Sequence, residues 1–73
     1  MTDKDLQLIN DLQNFILRNG IDVTMPSGKV ESNPALRMLS WLLKYKQISL
    51  PDFELKTELS ADQLKRLGRF RQQ

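Results

Sequence analysis

Apolar residues recur every three or four positions along residues 3–18, which is the spacing of a helix with one buried side. The recurring residues are Leu8, Ile9, Leu12, Phe15 and Ile16. Thr2 or Asp3 can cap the start of this segment, and Gly20 suits the left-handed conformation that follows the end of many helices. The pattern therefore predicts an N-terminal helix whose apolar stripe packs against the rest of the chain.

The most apolar segment of the chain is SNPALRMLSWLLKYKQ, residues 32–47. Asn33 is a strong N-cap residue, and Pro34 occupies the first helical position, where a proline costs least. The apolar positions form a main stripe of Ala35, Met38, Leu39 and Leu42, with Leu36 and Leu43 on one flank and Trp41 and Tyr45 on the other. So wide an apolar arc predicts the central helix of a small bundle, with neighbours on more than one side.

The segment between these two helices has a different period. Ile21, Val23 and Met25 alternate with polar residues, and the tripeptide Pro-Ser-Gly at 26–28 is a turn signal. An isolated two-stranded hairpin is only marginally stable, so a hairpin here would have to lie on the helices. The pattern is equally compatible with a short hairpin and with an irregular loop.

Residues 48–59 carry two conflicting signals. From Phe53 to Leu59 every second residue is charged, which is typical of a strand. Ser49 or Leu50 before Pro51, followed by acidic residues, is instead typical of the start of a helix. We favour a short helix, because a strand here could pair only with residues 21–31.

The last segment predicts a helix over residues 60–70. Ser60 and Gln63 have the spacing of a capping box, in which each side chain bonds to the backbone N–H of the other residue. Leu64, Leu67 and Phe70 are expected to face inward. Lys65, Arg66 and Arg69 are then expected on the opposite, outward side, with Arg71 continuing the basic charge. Together these segments predict an all-α fold: one small domain spanning residues 1–73, with three to four helices packed around residues 34–47.

Composition excludes several classes of function. The 73 residues include no cysteine and no histidine, so there is no disulfide framework, no thiolate metal site and no histidine base for a serine nucleophile. We therefore expect a protein without catalysis and without a cofactor. No apolar run approaches the roughly 20 residues that a bilayer-spanning helix needs, and the acidic start MTDKDLQ is unlike a secretory signal. These features favour the cytoplasm of a bacterial cell or of a phage-infected host.

Charge is distributed unevenly along the chain and suggests an anionic partner. Residues 1–35 carry three basic and five acidic side chains, whereas residues 36–73 carry eight basic and four acidic ones. Residues 50–70 can be read as two short helices with a tight turn at Leu59-Ser60, similar to a helix-turn-helix. The residues that would then contact duplex DNA are Gln63, Lys65, Arg66, Arg69 and Arg71, with Lys44 and Lys46 extending the patch. Glu54 and Glu58 depart from the usual small residues of that motif.

A second hypothesis is a protein–protein interaction module, such as a phage-encoded inhibitor, adaptor or regulatory subunit. Trp41 and Tyr45 are four residues apart and would lie side by side on the flank of the central helix. They could cover the core, or they could bind a partner, because Trp and Tyr are enriched in interface hot spots. A homo-oligomer that hides part of the central helix is a third possibility, since so short a chain often needs a partner for stability.

The stretch RNGIDVTMPSGKVESNPALRML, followed by ELSADQLKRLG, resembles the C-terminal part of one branch of phage terminase small subunits. The residues that carry the match are Gly20, Gly28, Asn33, Pro34, Leu59, Ser60 and Gly68. The resemblance covers about two-thirds of the chain. It implies a phage or phage-derived DNA-packaging protein that self-associates in a ring and binds viral DNA. The chain departs from the family at Pro51 and Glu58 and is too short for a separate DNA-binding domain.

Overall fold

Four α-helices and a two-stranded antiparallel hairpin make up residues 2–71, the part of the chain that this computed structural model describes. In chain order the elements are α1 (Asp3–Asn19), β1 (Asp22–Thr24), β2 (Val30–Ser32), α2 (Pro34–Tyr45), α3 (Leu50–Glu54) and α4 (Ala61–Arg71). α2 packs against both α1 and α4, so it is the central helix that its wide apolar arc predicts. The fold is mostly helical, and the hairpin is its one departure from the all-α expectation.

Both ends of α1 are set by local contacts, and the predicted N-terminal helix is confirmed. The Thr2 hydroxyl accepts a hydrogen bond from the Asp5 backbone N–H at 3.2 Å, and the Asp5 carboxylate accepts one from the Thr2 backbone N–H at 3.2 Å. At the other end Gly20 has φ +81° and donates its N–H to the Ile16 carbonyl at 2.8 Å. A side chain at this positive φ would be strained, which explains the glycine.

The segment between α1 and α2 forms the hairpin rather than an irregular loop. Three antiparallel residue pairs join β1 to β2, centred on Val23 opposite Glu31. Gly28 takes φ +87° in the turn. The backbone N–H of Asn33 donates to the Ile21 carbonyl at 2.9 Å. The hairpin is thus anchored where α1 and α2 meet, as a two-stranded element of marginal stability requires.

The core lies between α2 and its two helical neighbours, and three residues predicted for it are outside. The buried apolar residues are Ile9, Leu12, Ile16, Ala35, Leu36, Leu39, Leu42, Leu43, Phe53, Leu59 and Leu67. Leu8, Phe15 and Met38 were expected in the packed stripes, but 44%, 47% and 54% of their respective surfaces are exposed. The expectation was wrong because each apolar arc is wider than the surface that the neighbouring helix covers.

Two helices form in the C-terminal third, as favoured for residues 48–59 and predicted for 60–70. Ser49 caps the five-residue α3 by accepting a hydrogen bond from the Asp52 N–H at 3.2 Å. Strand-like alternation is not realised, because Leu55 is 84% exposed while Leu59 is buried. Leu67 is fully buried in α4, as expected of its inward side.

The connection between α3 and α4 is not the tight turn of a helix-turn-helix. Residues 55–60 separate the two helices, whereas that motif uses a turn of about three or four residues. The hydroxyl of Thr57 donates to Oε1 of Gln13 at 2.6 Å, which holds the connection against α1. The prediction of a tight turn at Leu59-Ser60 is therefore wrong, because α3 and α4 are joined by a segment that packs on α1.

Candidate functional site

Five large apolar side chains are exposed on one side of the α1–α2 pair. They are Leu8 and Phe15 on α1 and Met38, Trp41 and Tyr45 on α2. The α1 members are seven residues apart, and the α2 members are separated by three and four residues. Each group therefore lies along one side of its helix. We call these five residues the α1/α2 face.

A groove runs across this face between the two helices. One part, of about 330 Å³, is lined by Leu8, Leu12, Met38, Trp41 and Leu42, with Arg37 at its rim. The other part, of about 270 Å³, is lined by Leu12, Phe15, Pro34, Ala35 and Met38, with Asp11 at its rim. Leu12 and Met38 line both parts and therefore mark the middle of the groove.

The two aromatic rings of the face are stacked on each other. The ring centroids of Trp41 and Tyr45 are 5.4 Å apart, and the ring planes differ by 11°. Both residues are 65% exposed. Nζ of Lys46 lies 5.2 Å from the centroid of the Tyr45 ring. A stacked pair on a helix has few conformations to lose on binding, so it is a preorganised contact surface.

An ion pair fixes one end of the groove. Nζ of Lys46 lies 3.0 Å from Oδ2 of Asp5, which joins the end of α2 to the first turn of α1. The hydrogen bond from Lys46, followed by those from the Thr2 side chain and backbone, lowers the pKa of Asp5 to about 2. The carboxylate therefore stays charged at neutral pH. The same contact shows that α1 and α2 run antiparallel.

Opposite charges lie on the two outer edges of the face. Asp11 is on the α1 edge, and Arg37 is on the α2 edge. The guanidinium carbon of Arg37 is 5.4 Å from the centroid of the Phe70 ring on α4. Within residues 2–71, neither Asp11 nor Arg37 forms an ion pair. The face thus has an acidic edge and a basic edge.

Three of the residues predicted to bind nucleic acid make contacts inside the fold. Arg66 was expected to be free, but its Nη1 donates to Oδ1 of Asp22 at 3.1 Å and to Oγ of Ser32 at 3.2 Å. Gln63 closes the predicted capping box, because its Oε1 accepts the Ser60 backbone N–H at 2.8 Å. Lys46 is held by its ion pair. Arg66 ties α4 to the hairpin, across 44 positions of sequence.

The remaining predicted cationic residues lie on different parts of the surface. Lys65 and Arg69 are exposed on α4, four residues apart, and Lys44 is exposed on α2. Lys44 lines a shallow groove with Trp41. Arg71 is half-buried, and its Nη1 is shielded from water. Of the cationic residues predicted to bind nucleic acid, those that stay exposed and outside ion pairs within residues 2–71 are Lys44, Lys65 and Arg69.

Sequence reasoning found Trp41 and Tyr45 but not their neighbours. Leu8, Phe15 and Met38 looked like core because their spacing is that of a buried stripe. A usable signal was present in the width of the apolar arcs, since a chain of 73 residues has few elements to cover them. Asp11 and Arg37 carried no sequence signal, because their importance depends on which side of each helix is left bare.

Comparisons of this chain with protein-family models, with curated proteins and with solved structures found no match. The resemblance to terminase small subunits therefore stays a prediction. In the described residues no three His, Cys, Asp or Glu side chains are grouped in a way that could hold a metal ion. The helices of residues 2–71 also include none with the length and apolar character to cross a membrane.

Proposed function

We propose that this chain is a protein-binding module without catalytic activity, and that it docks its partner on the α1/α2 face. The observation that carries the proposal is the stacked pair of Trp41 and Tyr45, both 65% exposed beside an apolar groove. Tryptophan and tyrosine are the residues most enriched in interface hot spots. An aromatic pair held in place before binding favours a protein partner.

The size of the apolar patch supports the same conclusion. Its five side chains, with full areas on the order of 200 Å² each and about half exposed, present roughly 550 Å² of apolar surface. That is near the upper end of the largest patch on an ordinary monomer, about 300–600 Å². Here the patch is on a chain of only 73 residues. Water contact with so much apolar surface is unfavourable, and docking removes it.

Site-specific photocrosslinking tests this proposal. A benzophenone amino acid at Tyr45 is close in size to tyrosine and lies on the face. The matched control carries it at Leu55, which is 84% exposed and outside the face. In the cells that naturally contain this chain, we expect a covalent adduct with protein from position 45 and little from position 55. Equal labelling from both positions, or none from position 45, would contradict the proposal.

Nucleic-acid binding is a second candidate, supported by the exposed cations Lys65 and Arg69 on one side of α4. We propose to test it by fluorescence anisotropy with labelled duplex DNA at low salt. Reversing the charge of both residues should weaken binding and flatten its salt dependence, because each phosphate contact releases counterions. Arg66 is unsuitable for this test, since its reversal would also break the contact with Asp22. If the unmodified chain shows no affinity at low salt, this candidate is eliminated.

We propose that the setting is the cytoplasm of a bacterial cell or of a phage-infected host. The resemblance to terminase small subunits supports a phage origin, with DNA packaging or regulation as the process if nucleic acid is bound. An inhibitor, adaptor or regulatory subunit is the corresponding role if the partner is a protein. The two tests above separate these roles.

A further inference from the structure

Building on the proposed docking function, we infer that the α1/α2 face binds a second copy of this chain. The two copies are related by a two-fold axis parallel to α1 and α2, so that α1 of each copy lies over α2 of the other. The product is an antiparallel four-helix bundle, in which apolar stripes at three- and four-residue spacing interlock. Three observations carry this inference: the surface area, the charges on the two edges, and the match of large and small side chains.

The exposed area is what a dimer of this size needs. The chain exposes 5335 Å², whereas a folded monomer of 8.5 kDa exposes about 4,700 Å². A standard protein–protein interface takes about 800 Å² from each partner. The apolar patch of roughly 550 Å², together with the groove residues around it, approaches that value. A second copy covers four of the five side chains of the patch at once, all but Tyr45.

The charges on the two edges select the symmetry. Asp11 is next to Leu12 and Arg37 is next to Met38 along the chain, and Leu12 and Met38 share the middle of the groove. Asp11 and Arg37 therefore lie at nearly the same level, each displaced by about 1.5 Å along its helix. A two-fold axis parallel to the helices sets Asp11 of one copy opposite Arg37 of the other, twice.

The alternative symmetry places like charges together. A two-fold axis perpendicular to the helices lays α1 over α1, which sets Asp11 against Asp11 and Arg37 against Arg37. Like charges brought together across an interface repel each other and disfavour that arrangement. In the arrangement we favour, Lys4 and Lys44 share one end of the bundle, where both are exposed and keep their hydration. The parallel axis is thus the one that the charges favour.

The same axis matches large side chains to the gaps between them. Trp41 and Leu8 both line the first part of the groove, so Trp41 of one copy covers Leu8 of the other. Phe15 and Pro34 both line the second part, so Phe15 of one copy packs on Pro34 of the other. Every exposed residue of the α1/α2 face then has an apolar neighbour except Tyr45, which lies at the end with Lys46.

The mass in solution is the first test. Sedimentation equilibrium of the full chain, from micromolar to millimolar concentration, should show a transition from 8.5 kDa to twice that mass. Met38→Glu places a carboxylate in the middle of the face and should weaken association roughly a hundredfold. Leu55→Glu adds the same charge outside the face and should leave association unchanged. A chain that stays monomeric throughout overturns the inference, and so does equal weakening by the two variants.

A charge exchange tests the arrangement itself. Asp11→Arg and Arg37→Asp should each weaken self-association on the order of tenfold, because each variant alone sets like charges together twice. An equimolar mixture of the two should associate again, since a mixed dimer restores both opposite-charge pairs. Circular dichroism of each variant checks that the helices remain. If the mixture stays as weak as the separate variants, the arrangement is wrong.

The outcomes separate this inference from the proposed function. If position 45 crosslinks a different protein while the chain remains monomeric, the docking function stands and the second copy is refuted. If the chain dimerises as described but no adduct larger than the dimer forms, the face is used for self-association. If neither dimer nor adduct forms, both proposals fail.

Discussion

Replacing Asn33 by alanine should destabilise this fold far more than the loss of an ordinary helix cap. Asn33 is fully buried, and its side chain makes two hydrogen bonds. Oδ1 accepts the backbone N–H of Ala35 at 3.0 Å, which caps α2. Nδ2 donates to the Gly20 carbonyl at 2.8 Å, just past the end of α1. One side chain therefore joins the end of α1 to the start of α2.

The size of the expected loss of stability follows from these two hydrogen bonds. Loss of an N-cap costs about 1 kcal/mol. The Gly20 carbonyl is part-buried, and loss of its partner costs about 1–3 kcal/mol more, since water replaces this hydrogen bond only in part. The sum of about 2–4 kcal/mol is a large part of the roughly 4–10 kcal/mol expected for a chain of this length. The midpoint of thermal unfolding should fall by roughly 10–30 °C.

Urea unfolding followed by circular dichroism measures this effect, at one fixed protein concentration for all variants. Ser49→Ala is the matched control, because it removes an N-cap of the same kind at an exposed position. The free energy of unfolding of that control should fall by about 0.5–1 kcal/mol. Asn33→Ser can still cap α2 but cannot reach the Gly20 carbonyl, so its free energy of unfolding should lie between those of Asn33→Ala and the unmodified chain. If Asn33→Ala lowers the free energy of unfolding no more than Ser49→Ala does, the reasoning about the part-buried Gly20 carbonyl is refuted.

Two further predictions concern the ends of α1. Lys46→Met removes the main cause of the low pKa of Asp5, so the pKa should rise from about 2 toward the ordinary aspartate value, which an NMR titration of the carboxyl measures. An unchanged pKa in the variant would contradict the assigned cause. Because the pKa of Asp5 is lower in the folded than in the unfolded chain, its stabilising contribution is present above about pH 4 and is lost as the pH falls toward 2. Gly20→Ala puts a side chain at φ +81°, where open space surrounds the new Cβ, so the cost of about 1 kcal/mol or more comes from the backbone alone. Calorimetry that finds Gly20→Ala neutral would show that the chain relaxes this turn.

The elements that sequence predicted well are those set by contacts within a few residues. The helix starts at Thr2, Asn33 and Ser60 each depend on a hydrogen bond that spans two or three positions. The local pattern already contains both partners of such a bond. The sequence alone does not distinguish the hairpin from a loop, because the pairing of its strands depends on the hydrogen bond between Asn33 and Ile21 as well as on its turn.

The sequence by itself determined where the helices lie and that the segment after Asn33 is the centre of the fold. Only the tertiary structure decided which apolar residues are buried. Spacing gives Leu8 and Ile9 the same apolar character, but the neighbouring helix covers one and leaves the other in water. The tertiary structure also decided that Arg66 binds Asp22 rather than staying free, because partners 44 positions apart meet only after the chain has packed. Periodicity describes one helix, whereas a surface is defined by what the other helices leave uncovered.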